Sequence, residues 1–519
     1  MDGLMMDQPL LVRHIAERAE TVFGDRELAS RTADGVERST YAEVVDRARR
    51  LADSLQALGV RPGDRVATFA WNSIRHLELY LAVPSLGAVL HTLNIRLFEK
   101  DLRYIVGHAE DRVIFLDTSL ARTMPHFDGV EHEVLMPDGP GDREGALAYE
   151  ALIDQGDPGF AFPELDERSA AAMCYTSGTT GRPKGVVYSH RSTMLHSLAV
   201  LSPDAMGIRG RDAVMPIVPM FHANAWGLPY AAALVGARQV FPGPRMAPDQ
   251  IGELIAAERV TLAAGVPTVW QGMLGLDPPP DLSTLREILC GGSAVPEALL
   301  RAFDDRFGVP IVQAWGMTET SPLASASRLP GEVELSDDEA YALRASQGRI
   351  QPLVDFRIDE GSGGELQVRG PWIARAYYGD PASSEKFTDD GWLRTGDVAE
   401  LRSGSYIKLV DRTKDLIKSG GEWISSVELE NAIMAHPAVV EAAVIAIPDE
   451  RWGERPCACV VARAGDGQAL DADGVREFLA EKVAKWWLPD RVEFLEEVPK
   501  TSVGKFDKKA LRARFASGA

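Results

Sequence analysis

From residue 40 to residue 116 the chain alternates two kinds of apolar spacing, which narrows the open folds more than any other feature. Thr40-Tyr-Ala-Glu43 has the pattern of a capping box. Val44, Ala48, Leu51, Leu55 and Leu58 follow at helical spacing, and Gly59 stands where a helix C-cap belongs. The run 65–70 then reads as a strand, 73–83 as a helix, 88–92 as a strand, 98–108 as a helix and 112–116 as a strand. Strands spaced by helices predict α/β layers on largely parallel sheets. A second series of the same kind runs from 170 to 316.

The character changes near residue 353. Short β-like pieces at 356–358, 365–369 and 406–409 lead to the charged stretch Asp411-Arg-Thr-Lys-Asp415. An α+β tail follows, with helices expected at 427–436, 474–483 and 508–515 and strands at 440–447 and 456–461. The expected architecture is therefore α/β. A large N-terminal domain (1–411) of layered α/β subdomains plus a β-rich subdomain joins, through a hinge, a small α+β C-terminal domain (412–519).

Between the apolar run Ala170-Ala-Ala-Met-Cys174 and the next strand lies Tyr175-Thr-Ser-Gly-Thr-Thr-Gly-Arg-Pro-Lys-Gly-Val186. Three glycines, four hydroxyls, an arginine and a lysine in twelve residues make a loop able to wrap backbone N–H groups around an anion. It is not a Walker loop. After four intervening residues Gly178 meets Pro183 rather than glycine, and Gly185 follows Lys184 where Ser or Thr should stand. The formal net charge of −21 argues against general affinity for nucleic acid or anionic membranes, so an anionic ligand must be drawn in by a local field. Four cysteines in 519 residues are too few for a disulfide framework. Cys457 and Cys459 should share one strand face as buried thiols, which fits a reducing, cytoplasmic setting. The first residues carry no basic and apolar signal pattern, and no apolar run is long enough to span a bilayer.

The dodecapeptide resembles the signature of the AMP-forming adenylate ligases, which include acyl-CoA synthetases, peptide-synthetase adenylation domains and beetle luciferases. The resemblance implies that Thr176, Ser177, Gly178, Thr179, Thr180, Gly181 and Lys184 bind the nucleotide phosphates. In Gln313-Ala-Trp-Gly-Met-Thr-Glu319 it implies a nucleotide-side role for Gln313, Ala314, Gly316 and Thr318, stacking of Trp315 on adenine, and Glu319 as a Mg²⁺ ligand with Thr176. Magnesium suits triphosphate chemistry because it takes oxygen ligands and neutralises charge. Leu289-Cys-Gly-Gly-Ser-Ala294 resembles the glycine turn beneath adenine, with Gly291, Gly292 and Ser293. Asp397 in Leu393-Arg-Thr-Gly-Asp397 is implied to hold the ribose hydroxyls, with Arg412 as a second ribose-side contact. In Asp411-Arg-Thr-Lys-Asp-Leu-Ile-Lys-Ser-Gly-Gly-Glu-Trp423 the hinge falls on Lys414. Gly420 and Gly421 there line the pantetheine passage, and Lys418 and Trp423 approach the acyl-adenylate. Lys505, in Pro499-Lys-Thr-Ser-Val-Gly-Lys505, matches the catalytic lysine, whose ammonium stabilises charge on the phosphates in the transition state.

Pro219-Met-Phe-His-Ala-Asn-Ala-Trp-Gly-Leu-Pro-Tyr230 carries the acid-side residues. By resemblance His222 orients the acyl carboxylate, and Trp226 gates the fatty-acid tunnel of the medium- and long-chain fatty acyl-CoA synthetases. That likeness spans nearly the whole chain and includes a helical insert at 335–348. Ala223 and Gly227 are expected to leave room beside Trp226, and Met317 to face the acyl group. The segment lacks the acidic residue with which a peptide-synthetase domain meets an amine, and free coenzyme A is the expected acceptor. The expected activity is ATP-dependent ligation of a medium- or long-chain fatty acid to coenzyme A, by a homodimer. Short substituted acids such as methylthio-propionate are the alternative, as is a non-catalytic nucleotide sensor on the same fold. A serine hydrolase is disfavoured, because Gly291-Gly-Ser-Ala-Val295 lacks the closing glycine of a nucleophile elbow.

Overall fold

The computed structural model describes residues 1, 3–176, 182–331, 334–359, 364–420, 422–463, 470–500 and 506–515. Two large sheets organise the first part of the chain. The seven-stranded sheet runs in the order Leu147–Ala148, His132–Met136, Asp111–Asp117, Arg65–Phe69, Val89–Thr92, Ala170–Tyr175, Gly185–Ser189. All its pairings are parallel except the last. In the nine-stranded sheet five parallel strands, from Arg238–Phe241 to Ile311–Gly316, are joined by further strands at either end.

The antiparallel closure of the seven-stranded sheet explains the failed Walker spacing. Tyr175 pairs with Gly185, so the glycine-rich segment joins two antiparallel strands rather than a strand and a helix. The helix that a Walker loop would open starts later, at His190.

Helix Tyr41–Ala57 begins with the expected capping box, Thr40 accepting from the Glu43 N–H and Glu43 from the Thr40 N–H. Helix Ile74–Leu86 is buried at every position but Arg75, its polar His76, Glu78 and Ser85 included. It runs three residues beyond the expected end at 83, through Pro84. Proline cannot donate to the carbonyl four residues earlier, and here the Tyr230 hydroxyl donates to Tyr80 O at 3.2 Å in its stead. The buried Glu78 carboxylate accepts from Arg47 Nε at 2.7 Å and from the Tyr149 hydroxyl at 2.5 Å.

A four-stranded antiparallel sheet, Asp355–Asp359 to Tyr406–Arg412, follows, then a five-stranded sheet built around the long pair Val439–Asp449 and Gly453–Ala462. Cys457 and Cys459 lie on one face of the latter, buried with Val498, Leu511 and Phe515. All four cysteines are free thiols. The helix in the 335–348 insert is Asp337–Arg344, and its Tyr341 hydroxyl donates to Asp304 at 2.7 Å. Among the described residues no helix is long and apolar enough to cross a membrane.

Three buried histidines make the fold acid-sensitive. Burial pushes His76 and His190 down to about 4 and His196 to about 3. Each uses one ring nitrogen as an acceptor: His76 Nε2 from Thr68 Oγ1, His190 Nδ1 from Val12 N, His196 Nε2 from Leu323 N. Protonation would turn these acceptors into donors. Below pH about 6.5 the unfolded chain therefore binds protons that the folded chain refuses, at about 1.4 kcal/mol per pKa unit of separation. Thermal unfolding midpoints should fall as pH drops from 7 toward 4. His196→Gln, which keeps an acceptor but does not titrate, should flatten that slope.

Candidate active site

The strand Ile311–Gly316, the hairpin neck, the Gly291–Gly292 turn and the end of the four-stranded sheet surround one cavity of about 290 Å³. At the neck, Thr176 N donates to Lys184 O at 2.9 Å and Lys184 N to Thr176 Oγ1 at 3.1 Å. Both residues line the cavity. The loop tip, Ser177, Gly178, Thr179, Thr180 and Gly181, lies outside the described residues, as do Gly421 and Lys505. Backbone walls come close because glycine permits it. A Cβ on Gly291 would sit 2.7 Å from Ala314 O, and one on Gly316 would sit 1.8 Å from Pro322 O.

Two carboxylates stand at the opposite wall, each held by defined partners. Asp397, 4% exposed, accepts from Trp315 Nε1 at 3.0 Å through one oxygen and faces Arg412 Nε at 3.2 Å through the other. That carboxylate pushes the Arg412 pKa further up. With two lone pairs per oxygen, Asp397 can still accept from a pair of hydroxyls. Its turn is set by Thr395, whose hydroxyl accepts from Asp397 N at 3.1 Å, and by Gly396 N donating to Glu365 Oε1 at 2.9 Å. The Glu319 carboxylate accepts from the Tyr377 hydroxyl at 2.6 Å. Burial, then the neighbouring carboxylate, raises the Tyr377 pKa, so this phenol stays a donor.

Five cations, Arg182, Lys184, Lys386, Arg412 and Lys414, line the same cavity. A chain of net charge −21 thus holds a locally positive chamber, the arrangement an anionic ligand needs. Lys184 Nζ stands 4.9 Å from the Tyr377 ring centroid. Burial lowers the Lys414 pKa.

The apolar end rests on an unusual piece of backbone. Ala223, Asn224, Ala225, Trp226 and Gly227 have φ of 41°, 51°, 49°, 59° and 75°, a left-handed turn of five successive residues. Each non-glycine residue there costs about 1–2 kcal/mol. Complete burial holds the turn, with Cys174 Sγ donating to Asn224 Oδ1 at 3.3 Å. The turn aims Trp226 at the cavity, within 3.3 Å of where a Gly291 Cβ would stand. Its neighbours Ala223 and Gly227 are buried and are not among the residues lining the cavity, and a Cβ on Gly227 would meet His196 Nδ1 at 2.7 Å.

Of the residues singled out in the sequence, the structure brings Thr176, Lys184, His222, Trp226, Gly291, Gly292, Ala314, Trp315 and Gly316 to the one cavity. Met317, Thr318, Glu319, Arg412 and Lys414 line it too, with Asp397 bonded to two of the liners. Others stand apart. Gln313 is not among the lining residues; its Oε1 accepts from Val295 N at 2.7 Å and so braces the glycine turn. Ser293 is exposed. Among the described residues none beyond Lys414 lines the cavity. Gly420 (φ 62°) instead lies under the Trp452 ring, and Lys418 Nζ stands 5.4 Å from the ring centroid of the half-exposed Trp423. Tyr377, Lys386 and Met206 are cavity residues that the motifs do not flag. No local signal pointed to Tyr377, because its contact with Glu319 joins residues 58 apart.

Among the described residues no group of three or more His, Cys, Asp or Glu could hold a metal ion by itself. Hard oxygens are nevertheless present, in the buried Glu319 carboxylate and the Thr176 hydroxyl. That donor set fits magnesium arriving with a polyphosphate, which supplies most of its own oxygen ligands.

Residues 16–378 match the model of the AMP-binding enzyme family, and residues 428–505 match the AMP-binding enzyme C-terminal domain. The chain is 48% identical to a long-chain-fatty-acid–CoA ligase of Thermus thermophilus, over 98% of this chain and 96% of that one. It is 45% identical to a medium-chain-fatty-acid–CoA ligase of Ectopseudomonas oleovorans, over 99% and 98%. Among solved structures it resembles the anthranilate CoA ligase AuaEII in complex with anthranoyl-AMP, with a TM-score of 0.86, 25% identity and 98% coverage of each chain.

Proposed function

The chain belongs to the AMP-binding enzyme family, and from that premise we propose that it is an ATP-dependent acid–CoA ligase acting on a medium- or long-chain fatty acid. The observation that carries this reading is one chamber with a cationic hairpin neck, two braced carboxylates and an apolar end closed by Trp226. An acid that enters with its carboxylate toward His222 places its chain against Trp226, Pro322 and Leu323. Its oxygen attacks the α-phosphorus of ATP, the bond to the β-phosphate breaks, and acyl-AMP and pyrophosphate form. The thiolate of coenzyme A then attacks the acyl carbon, and AMP leaves as the thioester forms.

In this reading Asp397, oriented by Trp315 and Arg412, accepts from the ribose hydroxyls, and the Gly291–Gly292 turn lies under the base. Lys184 and Arg182 hold phosphate oxygens by charge. Glu319 and Thr176 would hold magnesium, which neutralises triphosphate charge. Tyr377 keeps the Glu319 carboxylate aimed at the chamber. We assign residues 1–411 to the adenylation domain and 412–519 to a C-terminal domain that turns about Lys414. Lys505 and the Gly420–Gly421 passage then serve successive steps. A cytoplasmic homodimer completes the proposal, and four free, buried thiols support a reducing compartment.

Pyrophosphate release from ATP, measured with C2 to C18 acids, tests the reading. Release that depends on a fatty acid supports it; ATP binding with no acid-dependent release would make the chain a nucleotide sensor. Trp226→Ala removes a large rigid ring, and should change the acid dependence of that rate more than the KM for coenzyme A. Identical acid profiles would leave Trp226 as packing.

A further inference from the structure

The apolar end of the cavity has an adaptable wall set on a loop rather than on a strand or the left-handed turn. Trp226 is locked by the left-handed turn, and Leu323 N is bonded to His196 Nε2 at 3.1 Å at the start of the strand Leu323–Ala326. Gly291 and Gly316 contribute backbone that leaves no space for a side chain. Met206 differs. It lines the cavity and packs in the same core cluster as Trp226 and Leu323, yet it sits on a loop, after helix His190–Leu201. Its side chain is unbranched and can fill or vacate a gap by rotation alone.

The loop itself is clamped from behind at the two residues flanking Met206. Arg328 Nε donates to Ala205 O at 2.9 Å, and Arg286 Nη2 donates to Gly207 O at 2.8 Å. The buried Glu287 carboxylate takes both guanidinium groups, Arg328 through Nη1 at 2.5 Å and Nη2 at 3.1 Å, and Arg286 through Nη1. The buried Asp212 carboxylate accepts from Arg286 Nε at 3.0 Å and Nη2 at 2.9 Å. Glu287 opens the strand Glu287–Cys290, whose other end leads into Gly291 at the cavity wall. The clamp and the chamber are therefore built on one rigid element. Asp212 also accepts from Thr261 Oγ1 and Arg209 N, so the backbone on either side of Met206 is tied into the same network as the strands.

We propose that Met206 sets the length of acid the site accepts, and that Arg328 and Arg286, anchored on Glu287 and Asp212, are positioning residues that fix its depth. The inference rests on the acid–CoA ligase reading and adds the residue that measures the substrate. Met206→Ala removes three heavy atoms and leaves room for about two further methylenes once the site relaxes. A methylene fitted or refused in an apolar pocket is worth about tenfold or more in kcat/KM.

The test is kcat/KM for acid-dependent pyrophosphate release across straight-chain C2 to C18 acids, in wild type, Met206→Ala, Met206→Phe and Glu287→Gln. Met206→Ala should move the optimum to longer acids, with a gain of about tenfold on an acid about two carbons beyond the wild-type best. Met206→Phe should move it to shorter acids. Glu287→Gln should flatten discrimination between neighbouring chain lengths while the KM for ATP holds, a split that general destabilisation does not produce. If Met206→Ala folds poorly, Met206→Phe carries the test in the opposite direction. An unmoved optimum in the Met206 variants overturns the inference and leaves the ligase reading intact. A wild type with no acid-dependent release defeats the ligase reading, and the inference with it.

Discussion

Replacing Lys505 by alanine is expected to slow acyl-adenylate formation about 10²–10³-fold, the cost of losing one charge partner of a transition state. Thioester formation from supplied acyl-adenylate should stay near the wild-type rate. In the first half-reaction charge builds on the non-bridging α-phosphate oxygens and on departing pyrophosphate. The cations in the cavity wall, Arg182, Lys184 and Lys386, belong to the body of the protein and face the chamber already. The residue proposed to add charge at the α-phosphate itself sits in the Pro499-Lys-Thr-Ser-Val-Gly-Lys505 segment, outside the described residues. In the second half-reaction no pyrophosphate forms, and in the proposed mechanism the turn about Lys414 has taken Lys505 out of the chamber, so its ammonium is not used there. Rapid-quench measurement of each half-reaction separates the two. Equal slowing of both would remove Lys505 from its proposed role.

Lys414→Pro should have the opposite signature, with adenylation retained and thioester formation reduced by orders of magnitude. Lys414 lies in a tight turn in which the N–H groups of Asp415 and Leu416 both donate to Arg412 O, at 2.8 and 2.9 Å. Past it, Arg512 of the final helix pairs with Asp415 at 2.5 Å, tying the turn to the C-terminal unit. Arg412, Thr413 and Lys414 line the cavity, whereas Gly420 sits under Trp452 away from it. Lys505 and Gly420 are 85 positions apart in the sequence, and the proposed mechanism needs each at the chamber in turn. A change of one or two dihedrals at Lys414 supplies that exchange, and proline fixes φ there. Wild-type thioester formation in Lys414→Pro would remove the hinge from the mechanism.

Local patterns were legible in the sequence; contacts made across it were not. The Thr40–Glu43 capping box and the final helix Lys508–Phe515 lie where spacing puts them, because their signals are confined to a few neighbouring residues. The helix through Pro84 runs past its predicted end because its repair comes from Tyr230, 150 residues away. The left-handed turn at 223–227 had no legible signal. Alanine and tryptophan do not favour positive φ, and only burial in the finished core holds them there. Among site residues, the motif positions that line a wall by their backbone or adjoin it directly, such as Gly291, Trp315 and Glu319, were readable. Tyr377 and Met206 were not, since each gains its place from a partner on a distant element. The inward turn of Gln313 toward Val295 N and the packing of His196 against Gly227 were hidden for the same reason.

The central claim is a two-step reaction through an acyl-adenylate, and the identity of the products tests it most directly. The protein, incubated with a fatty acid, ATP, magnesium and coenzyme A, should yield acyl-CoA, AMP and pyrophosphate in equal amounts. Without coenzyme A, enzyme-bound acyl-AMP should accumulate. Formation of ADP and phosphate in place of AMP and pyrophosphate would contradict the account.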